Sequence, residues 1–336
     1  MSSHQTVEII GGGLAGLSLA LGLRAQHVPV RLFETDTYPR HRVCGEFITG
    51  LDPATQEQLQ LGHILAKARP AQTVLWSEPG YSPLRHRLPE PALCLSRHRL
   101  DALMAEALTA AGGELLTGQR MAPDPRPGRI LACGRRPDKR SPWIGLKQHF
   151  TGLKLSHDLE LYLGRGAYVG ATQVEDSTVN ICGLFPRHSS GRDHTLLGRL
   201  RQAGIHTLAD QLEKAQPRPG SACAVAGLNY GDNPSSPASV GDHQGLIPPF
   251  TGHGMTVALQ SAATALPHLV AWSRGETPWP STLELIERDL ATRFRRRLAW
   301  GRRLHPWLLS PLRRRVIHRL HSLKLLPLGP LYRLCH

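Results

Sequence analysis

The chain has 336 residues, a hydrophobic content of 40% and a formal net charge of +14. Its length suffices for a sizeable core and two interlocked domains, and its composition is ordinary for a globular protein. No run of about 20 apolar residues predicts a membrane-spanning helix, and six cysteines without a C-x-x-C pair argue against a metal site and for a reducing cytoplasm.

The first predicted unit, residues 7–34, is a strand, a glycine turn, a helix and a second strand. It reads VEIIGGGLAGLSLALGLRAQHVPVRLFE and places the pattern G-x-G-x-x-G on Gly11, Gly13 and Gly16. The first glycine allows a tight turn, the second lets a pyrophosphate approach the backbone, and the third lets helix and strand pack closely. In this context the pattern predicts a dinucleotide site.

The same unit offers partners for the rest of a dinucleotide. The N-terminus of the predicted helix, at Leu14 and Ala15, faces the phosphates with free N–H groups and the positive end of its dipole. Glu34 follows Gly13 by 21 residues, where a carboxylate can accept both hydroxyls of an adenosine ribose. Because that carboxylate would repel a 2′-phosphate, the unit predicts tightly bound FAD or NAD rather than NADP.

Residues 35–50 follow the ribose acid and should lie beside the nucleotide. The succession GGGLAG, FE and YPRHRVCGE resembles the flavoprotein family of geranylgeranyl reductases, flavin-dependent halogenases and aromatic hydroxylases (group A flavoprotein monooxygenases). It is most similar to the geranylgeranyl-reductase-like branch. The resemblance implies that Cys44 lies near the flavin and the substrate cavity. A catalytic role for Cys44 is weighed against that of a small buried thiol.

The resemblance implies an α/β fold. A Rossmann-like FAD-binding domain would be interrupted by an antiparallel-sheet substrate domain, as in para-hydroxybenzoate hydroxylase, and followed by a C-terminal helical tail. The expected FAD domain comprises residues 1–70, 93–145 and 235–290. The substrate domain comprises residues 71–92 and 146–234, where strands alternate with period two, and the tail comprises residues 291–336.

A helix is predicted after Ser96, a plausible N-cap. By the resemblance, Arg97 reaches the flavin nucleotide; the alternative is a solvated arginine at a helix N-terminus. The next strand of the nucleotide sheet is expected to end at Met121, which we include among the cofactor-binding residues. Cys133 replaces the Asp that many hydroxylases carry in a second fingerprint, and this departure weakens any inference about a nicotinamide-binding groove.

A second strong motif, ASVGDHQGLIPPFTGHGMTVALQSAATAL, begins at residue 238. It resembles the family segment GDAAG…PFTGEG…AL. By that resemblance, Asp242 binds the ribityl chain of FAD, and backbone N–H groups at Gly252, Gly254 and Met255 face the pyrimidine edge of the flavin. His253 stands where many relatives carry an acid, and a catalytic role is weighed against that of a solvated loop histidine.

The basic residues are concentrated in the tail. Residues 291–336 contain twelve Lys and Arg and no Asp or Glu, against a formal net charge of +14 for the chain. Tryptophan and leucine share the same predicted helices, which is typical of a helix at an anionic lipid surface. A packed helix with a solvated basic face is the alternative. Nucleic acid is not expected as a partner, because no sequence motif of a nucleic-acid-binding fold accompanies the basic residues.

These patterns predict an FAD-dependent oxidoreductase of the cytoplasm, with the tail as a peripheral contact to the inner face of the membrane. The substrate is expected to be an apolar small molecule. The resemblance implies double-bond reduction on a lipid-like compound or a related redox step, or else hydroxylation of an aromatic or polyketide-type metabolite. A non-catalytic flavin-binding protein is a third reading, and a halogenase is disfavoured because the tryptophan-rich halogenase signature is missing. With one dinucleotide fingerprint, NAD(P)H would visit transiently or a partner would supply electrons.

Overall fold

Two main sheets organise the chain, one parallel and one largely antiparallel. The computed structural model describes residues 4–135, 137–188, 193–228, 231–232, 238–243, 245–246 and 252–322. The strands are β1 (Val7–Ile10), β2 (Val30–Phe33), β3 (Phe47–Ile48), β4 (Arg69–Ser77), β5 (Leu84–Cys94), β6 (Glu114–Leu116), β7 (Arg129–Leu131), β8 (Trp143–Thr151), β9 (Leu159–Gly164), β10 (Ala167–Gln173), β11 (Val179–Pro186), β12 (Gln216–Pro217), β13 (Cys223–Ala226), β14 (Gly231–Asp232) and β15 (Gly245–Leu246).

Helices cover both sheets. They are α1 (Leu14–Ala25), α2 (Pro53–Gln58), α3 (Gly62–Leu65), α4 (Arg97–Ala110), α5 (Leu196–Gln202), α6 (His206–Lys214), α7 (Gly254–Ser273), α8 (Trp279–Leu309) and α9 (Pro311–Ser322), with a 3₁₀ turn η1 at Gly241–His243.

The first sheet is parallel and has the strand order β6-β2-β1-β7. Its short strands are rich in β-branched and large apolar residues, which suits a sheet buried on both faces. Helix α1 connects β1 to β2 and is buried from Leu14 to Leu23, between the sheet and α7. At Gly22, a side-chain carbon would lie only 2.9 Å from the Leu266 side chain of α7. Small residues therefore let α1 and α7 approach closely.

The second sheet has the order β12-β8-β11-β10-β9-β4-β5-β3, with β13 also on β8. Every pairing is antiparallel except that of β4 with β9. Side chains alternate between its two faces, as the period-two pattern predicts. One face packs on α5 and α6 through Leu146, Phe150, Val169, Val179 and Ile181. The other carries Lys147, His149, Asn180, Cys182 and Leu184 at the alternate positions.

Most of the predicted elements lie close to the observed ones. Ser96 caps α4, accepting a hydrogen bond from the Arg99 N–H at 3.1 Å. The strand expected to run to Met121 is wrong in length, because β6 ends at Leu116. The helical pattern of residues 51–65 predicts one helix, but the structure has two short ones, α2 and α3, separated by Gln60 at a φ of 56°. The second motif also predicts a turn at its Pro-Pro pair, residues 248–249, which lies outside the described residues.

The two C-terminal helices lie against the second sheet. The imidazole of His305 packs edge-on against Trp143 and Tyr168, with ring centroids 6.0 and 6.2 Å away. In α9, Arg314 is buried and its Nε lies 2.8 Å from Glu78 Oε1, just after β4. The inner sides of α8 and α9 therefore cover part of the face of the sheet that α5 and α6 leave open. Among the described residues, no helix combines the length and the apolar character needed to cross a membrane.

Candidate functional site

The glycine turn after β1 is tightly packed on one side and open on the other. At Gly11, with a φ of +110°, a side-chain carbon would lie 2.4 Å from the Ala132 carbonyl oxygen. At Gly16 it would lie 2.0 Å from the Gly11 carbonyl oxygen, whereas at Gly13 it would meet no atom within 4 Å. Gly11 and Gly16 therefore serve close packing, and Gly13 borders free space.

Helix α1 begins directly at this open turn. Gly13 is its N-cap, and no side chain caps the helix N-terminus. The N–H groups of Leu14 and Ala15 belong to the first turn, which makes no hydrogen bonds within the helix. An uncapped N-terminus beside open space is a ready site for an anion.

Glu34, at the tip of β2, is nearly buried and already ionised. Its carboxylate accepts hydrogen bonds from the Gly12 N–H at 2.7 Å and from the Arg40 guanidinium at 2.7 Å. Although burial favours the neutral acid, Arg40 and the Asp36 N–H lower the pKa of Glu34 to about 2. The Arg42 guanidinium lies 3.7 Å from Glu34 Oε2. The carboxylate is thus ionised at any physiological pH. Its other oxygen already accepts hydrogen bonds from the Thr35 hydroxyl and the Asp36 N–H, so a ribose would have to share or displace these partners.

The structure places Met121 at the carboxyl edge of the parallel sheet and Arg97 in a buried ion pair. Met121 packs on Ile10, Phe33 and Leu131, the last residues of β1, β2 and β7. This is the edge from which the glycine turn also projects. Arg97 is not a solvated helix-end residue, because its side chain is 11% exposed and forms a two-pronged ion pair with Asp101 at 2.7 Å.

The second motif brings a carboxylate to the same region. In η1, Gly241 lies against α1, since a side-chain carbon there would be 2.9 Å from Ala15 Cβ. Burial raises the pKa of the adjacent Asp242 to about 6, against the opposing charges of Arg97, Arg135 and Arg42. Asp242 is therefore a partly desolvated acid surrounded by cations, beside the N-terminus of α1.

The N-terminus of α7 repeats the geometry of α1. His253 is its N-cap, no side-chain capping hydrogen bond is present among the described residues, and Met255 in its first turn is buried. At Gly254 a side-chain carbon would meet no atom within 4 Å, whereas at Gly252, with a φ of +71°, it would lie 3.3 Å from the Phe47 ring. His253 is 1% exposed, so its interpretation as a solvated loop histidine is wrong.

Residues 44–47 connect this helix end to the second sheet. Asn180 Nδ2 donates a hydrogen bond to the Cys44 carbonyl at 2.9 Å. The Cys44 thiol accepts one from the Glu46 N–H at 3.4 Å, and burial raises its pKa, against the charge of Arg97. Cys44 is therefore a thiol rather than a thiolate at neutral pH.

A buried polar cluster that the sequence reasoning missed lies behind Cys44. Glu46 and Lys147 are fully buried and His149 is 3% exposed. Glu46 contacts Lys147 Nζ at 3.1 Å and His149 Nε2 at 2.6 Å, and accepts the Arg97 N–H at 3.0 Å. Burial disfavours the Glu46 carboxylate, but the bond to His149 and the Lys147 charge outweigh it and lower its pKa. We refer to Glu46, Lys147 and His149 as the buried triad.

Histidines extend the buried triad outward. His41 Nδ1 lies 3.1 Å from Lys147 Nζ, and its ring stacks on that of His98 with centroids 4.4 Å apart. Burial and the nearby Lys147 charge lower the pKa of His41 to about 4, so His41 is neutral at pH 7. A signal for this cluster was present in the sequence: Lys147 and His149 share one face of a strand that is otherwise mostly apolar.

The structure gathers several polar groups around the glycine turn. Glu34 bonds Gly12 of that turn, Gly241 beside Asp242 lies against Ala15 of α1, and α7 packs on η1. A helix N-terminus, open space at Gly13 and two carboxylates are the groups with which a dinucleotide would interact. The structure does not bring Cys133 into this set: its thiol donates to the Ile10 carbonyl at 3.2 Å. In the described part of the chain, no cluster of metal-binding side chains is present.

The fold is similar to that of several solved flavoproteins. The brominase Bmp2, as a triple mutant, is 15% identical, with 94% of this chain and 93% of that chain covered and a TM-score of 0.74. PqsL, a probable FAD-dependent monooxygenase from Pseudomonas aeruginosa, is 17% identical, with 92% and 98% covered and a TM-score of 0.70. A geranylgeranyl bacteriochlorophyll reductase-like protein from Thermoplasma acidophilum is 17% identical, with 91% and 88% covered and a TM-score of 0.70.

At these identities the likeness concerns the fold. It confirms the predicted α/β architecture, in which a parallel nucleotide-type sheet is combined with an antiparallel sheet and C-terminal helices. No protein-family model and no curated protein sequence matches the chain.

Proposed function

We propose that the chain is an FAD-dependent oxidoreductase that acts on an apolar small molecule. The observation that carries the proposal is the opening at Gly13, where a side-chain carbon would meet no atom within 4 Å. This opening lies at an uncapped helix N-terminus, and both features suit a pyrophosphate. The fold shared with FAD-dependent enzymes supports the same conclusion.

Each end of the cofactor has candidate partners. The first turn of α1 would hold the pyrophosphate, Glu34 the adenosine ribose, and Asp242 the ribityl chain, with Arg97 as a nearby cation and Met121 at the adenosine end. The first turn of α7 would face the flavin through backbone N–H groups of Gly252, Gly254 and Met255. When bound, FAD would supply the redox chemistry, and the protein would orient it and exclude water.

Double-bond reduction is the reaction that we favour. It adds hydride to one carbon and a proton to its neighbour, so that an acid must lie near the site. Cys44 is held as a thiol by burial and can donate such a proton. The resemblance of the sequence to the geranylgeranyl-reductase-like branch supports an apolar, lipid-like substrate.

Hydroxylation of an aromatic or polyketide-type compound is the alternative reaction. The fold likeness to PqsL supports it at the level of architecture, and a flavin-binding protein without turnover is the third reading. For either reaction, NAD(P)H would bind transiently and reduce the flavin, or a protein partner would supply the electrons. His253 remains a candidate for a catalytic role because it is buried beside the helix N-terminus that would face the flavin.

Substitution of Gly13 tests cofactor binding. Gly13 has a φ of −80°, which alanine adopts readily, so Gly13→Ala should fold normally and yet obstruct the pyrophosphate. Gly62→Ala, at an equally open glycine of α3, is the matched control. We expect FAD affinity, measured by flavin fluorescence titration, to fall about tenfold or more in Gly13→Ala only. Equal affinities in the two variants would contradict the assignment.

The reaction is tested in single-turnover experiments. The FAD-bound protein is reduced under anaerobic conditions and mixed with candidate prenyl or aromatic compounds, and the products are identified by mass spectrometry. Anaerobic reoxidation with a mass gain of two hydrogens supports reduction, whereas a product that forms only with oxygen and gains one oxygen atom supports hydroxylation. Flavin that stays reduced until oxygen enters, with no product, supports the non-catalytic reading.

A further inference from the structure

Exposed large apolar side chains concentrate at the junction of α8 and α9. Trp307, near the end of α8, is 40% exposed. In α9, Leu312 is 69% exposed and Val316 is 46% exposed. The two α9 residues are four positions apart and thus lie on one side of the helix. Exposure of this extent is costly in water unless another surface covers it.

The fourth exposed large hydrophobic among the described residues lies beside the same helix. Tyr81 is 37% exposed and belongs to the turn after β4. Its N–H donates to the Glu78 carbonyl at 3.1 Å, and the Glu78 side chain forms the buried ion pair with Arg314 of α9. The turn and α9 are therefore tied together.

Helix α9 has an inner and an outer side. Arg314 and Ile317 line a small cleft with Trp76 and Leu163 of the second sheet, and this contact fixes the helix rotation. Arg313 and Arg315 are exposed, as are the two apolar residues of α9 described above. The Arg313 guanidinium lies over the Trp307 ring, 5.7 Å from its centroid, so that a cation and an indole are next to each other on the outer side.

We propose that this docking face, made of Trp307, Leu312 and Val316 with Arg313 and Arg315, binds an anionic phospholipid bilayer. Apolar side chains interspersed with arginines, with tryptophan among them, are the composition of an interfacial helix. The sequence contains no Asp or Glu after Asp289, so the surrounding charge complements anionic headgroups. A bilayer also needs no concave partner surface, which suits the outer side of two helices.

The proposal does not depend on FAD, but it bears on the substrate. The inner sides of α8 and α9 cover an apolar cluster of the second sheet that includes Leu161, Leu163 and Leu184. A docked bilayer would therefore lie on the same side of the molecule as that cluster. A lipid-like substrate would then reach the protein from the membrane rather than through water.

The test is cosedimentation of the full chain with two kinds of vesicle, phosphatidylcholine alone and phosphatidylcholine with phosphatidylserine. We expect binding to the second kind only, weakening with salt. Arg313→Gln/Arg315→Gln should weaken partitioning about 20- to 30-fold at physiological salt, since each arginine near the surface contributes about 1 kcal/mol. Leu312→Ser/Val316→Ser should weaken it about tenfold or more at every salt concentration.

The matched control is Arg295→Gln/Arg296→Gln, which makes the same change of charge at exposed residues of α8. These lie about 16 Å along the helix from Trp307, beyond the screening length at physiological salt. The control should bind vesicles nearly as the unchanged chain does. Melting temperatures and FAD retention of all variants verify folding.

Three results would overturn the proposal. One is equal vesicle binding by the unchanged chain and both docking-face variants. Another is equal binding to neutral and anionic vesicles. The third is failure of the unchanged chain to bind vesicles while it binds duplex DNA or an acidic protein through Arg313 and Arg315, which would reassign the face to that partner. If a docking-face variant fails to fold, quenching of Trp307 by brominated lipid, with Trp307→Phe as reference, decides the question.

Discussion

Glu46 combines two costly features in one residue. Its φ of 57° lies in the left-handed region that non-glycine residues seldom occupy. This backbone conformation costs about 1 kcal/mol or more. Its carboxylate is fully buried and persists there because Lys147 and His149 contact both oxygens. A buried ion pair adds little stability compared with apolar side chains of similar size. Removal of one partner, however, leaves the other charge buried and unpaired, which is strongly destabilising. The residue therefore constrains how residues 44–47 sit beside the candidate site.

Replacing Lys147 should expose that dependence. Lys147→Met leaves the Glu46 carboxylate buried beside one partner fewer, and we expect the free energy of unfolding to fall by about 3–5 kcal/mol. Adding Glu46→Gln should recover a large part of the loss. Urea denaturation measures both, with exposed Lys154→Met as the control. If Lys147→Met and Lys154→Met are equally stable, the ion pair contributes nothing.

Asp242 should make flavin affinity depend on pH. Its pKa is raised to about 6 by burial, and only the ionised carboxylate accepts two ribityl hydrogen bonds. FAD affinity should therefore be full above pH 7 and fall as the pH drops through about 6. Asp242→Asn should bind FAD about 10- to 100-fold more weakly at pH 7.5, as expected for a hydrogen bond to a charged group worth about 1.5–3 kcal/mol, and with little pH dependence.

His253→Ala provides the comparison for Asp242. Because α7 would bind flavin mainly through backbone N–H groups, the loss of the His253 side chain should weaken FAD less than the loss of the Asp242 carboxylate. Equal dissociation constants for the two variants would show that the motif around Gly252 has been misinterpreted.

At the scale of elements, the helices and strands that could be predicted are those with a clear sequence pattern over a short stretch of chain. The β1–α1–β2 unit was predictable because strand period, glycine spacing and helix start lie within residues 7–34, and the structure has each within a few residues. The buried triad was not, because Glu46 meets Lys147 and His149 about a hundred residues further along the chain. The tail's helices were predictable, but not which side packs inward.

Helix α8 carries an acid-sensitive contact. The pKa of His305 is lowered from 6.5 to about 4 by burial, so between these values the unfolded chain binds more protons than the folded one. Stability from this residue is full above pH 6.5 and is lost as the pH falls, by up to about 1.4 kcal/mol per pH unit. His305→Leu should flatten the fall in melting temperature between pH 6.5 and 4.5. Exposed His63→Leu should leave the profile as it is.

At the scale of the whole molecule, the tail is part of the fold up to Ser322, the last described residue. The His305 ring and Arg314 pack on the second sheet, so a chain cut after Gly301 would uncover Trp143 and Tyr168. We expect that truncation to lower the free energy of unfolding by about 3 kcal/mol or more, as loss of large core side chains does. Equal denaturation midpoints for the cut and the full chain would show that α9 and the end of α8 are dispensable.

The pairing of β4 with β9 has a consequence for how the chain acquires its structure during synthesis. Thr73 of β4 bonds Asp158, just before β9, although the two are 85 residues apart. Strands β4 and β5 therefore leave the ribosome long before the strand that completes their side of the sheet, with β4 as an unpaired edge. Such a delay exposes nascent chains to aggregation and slows folding. Because β3, β4 and β5 lie between β2 and β6 along the chain, neither sheet is a continuous segment. We therefore expect production of this protein to be sensitive to chaperone supply and to translation rate between residues 94 and 164.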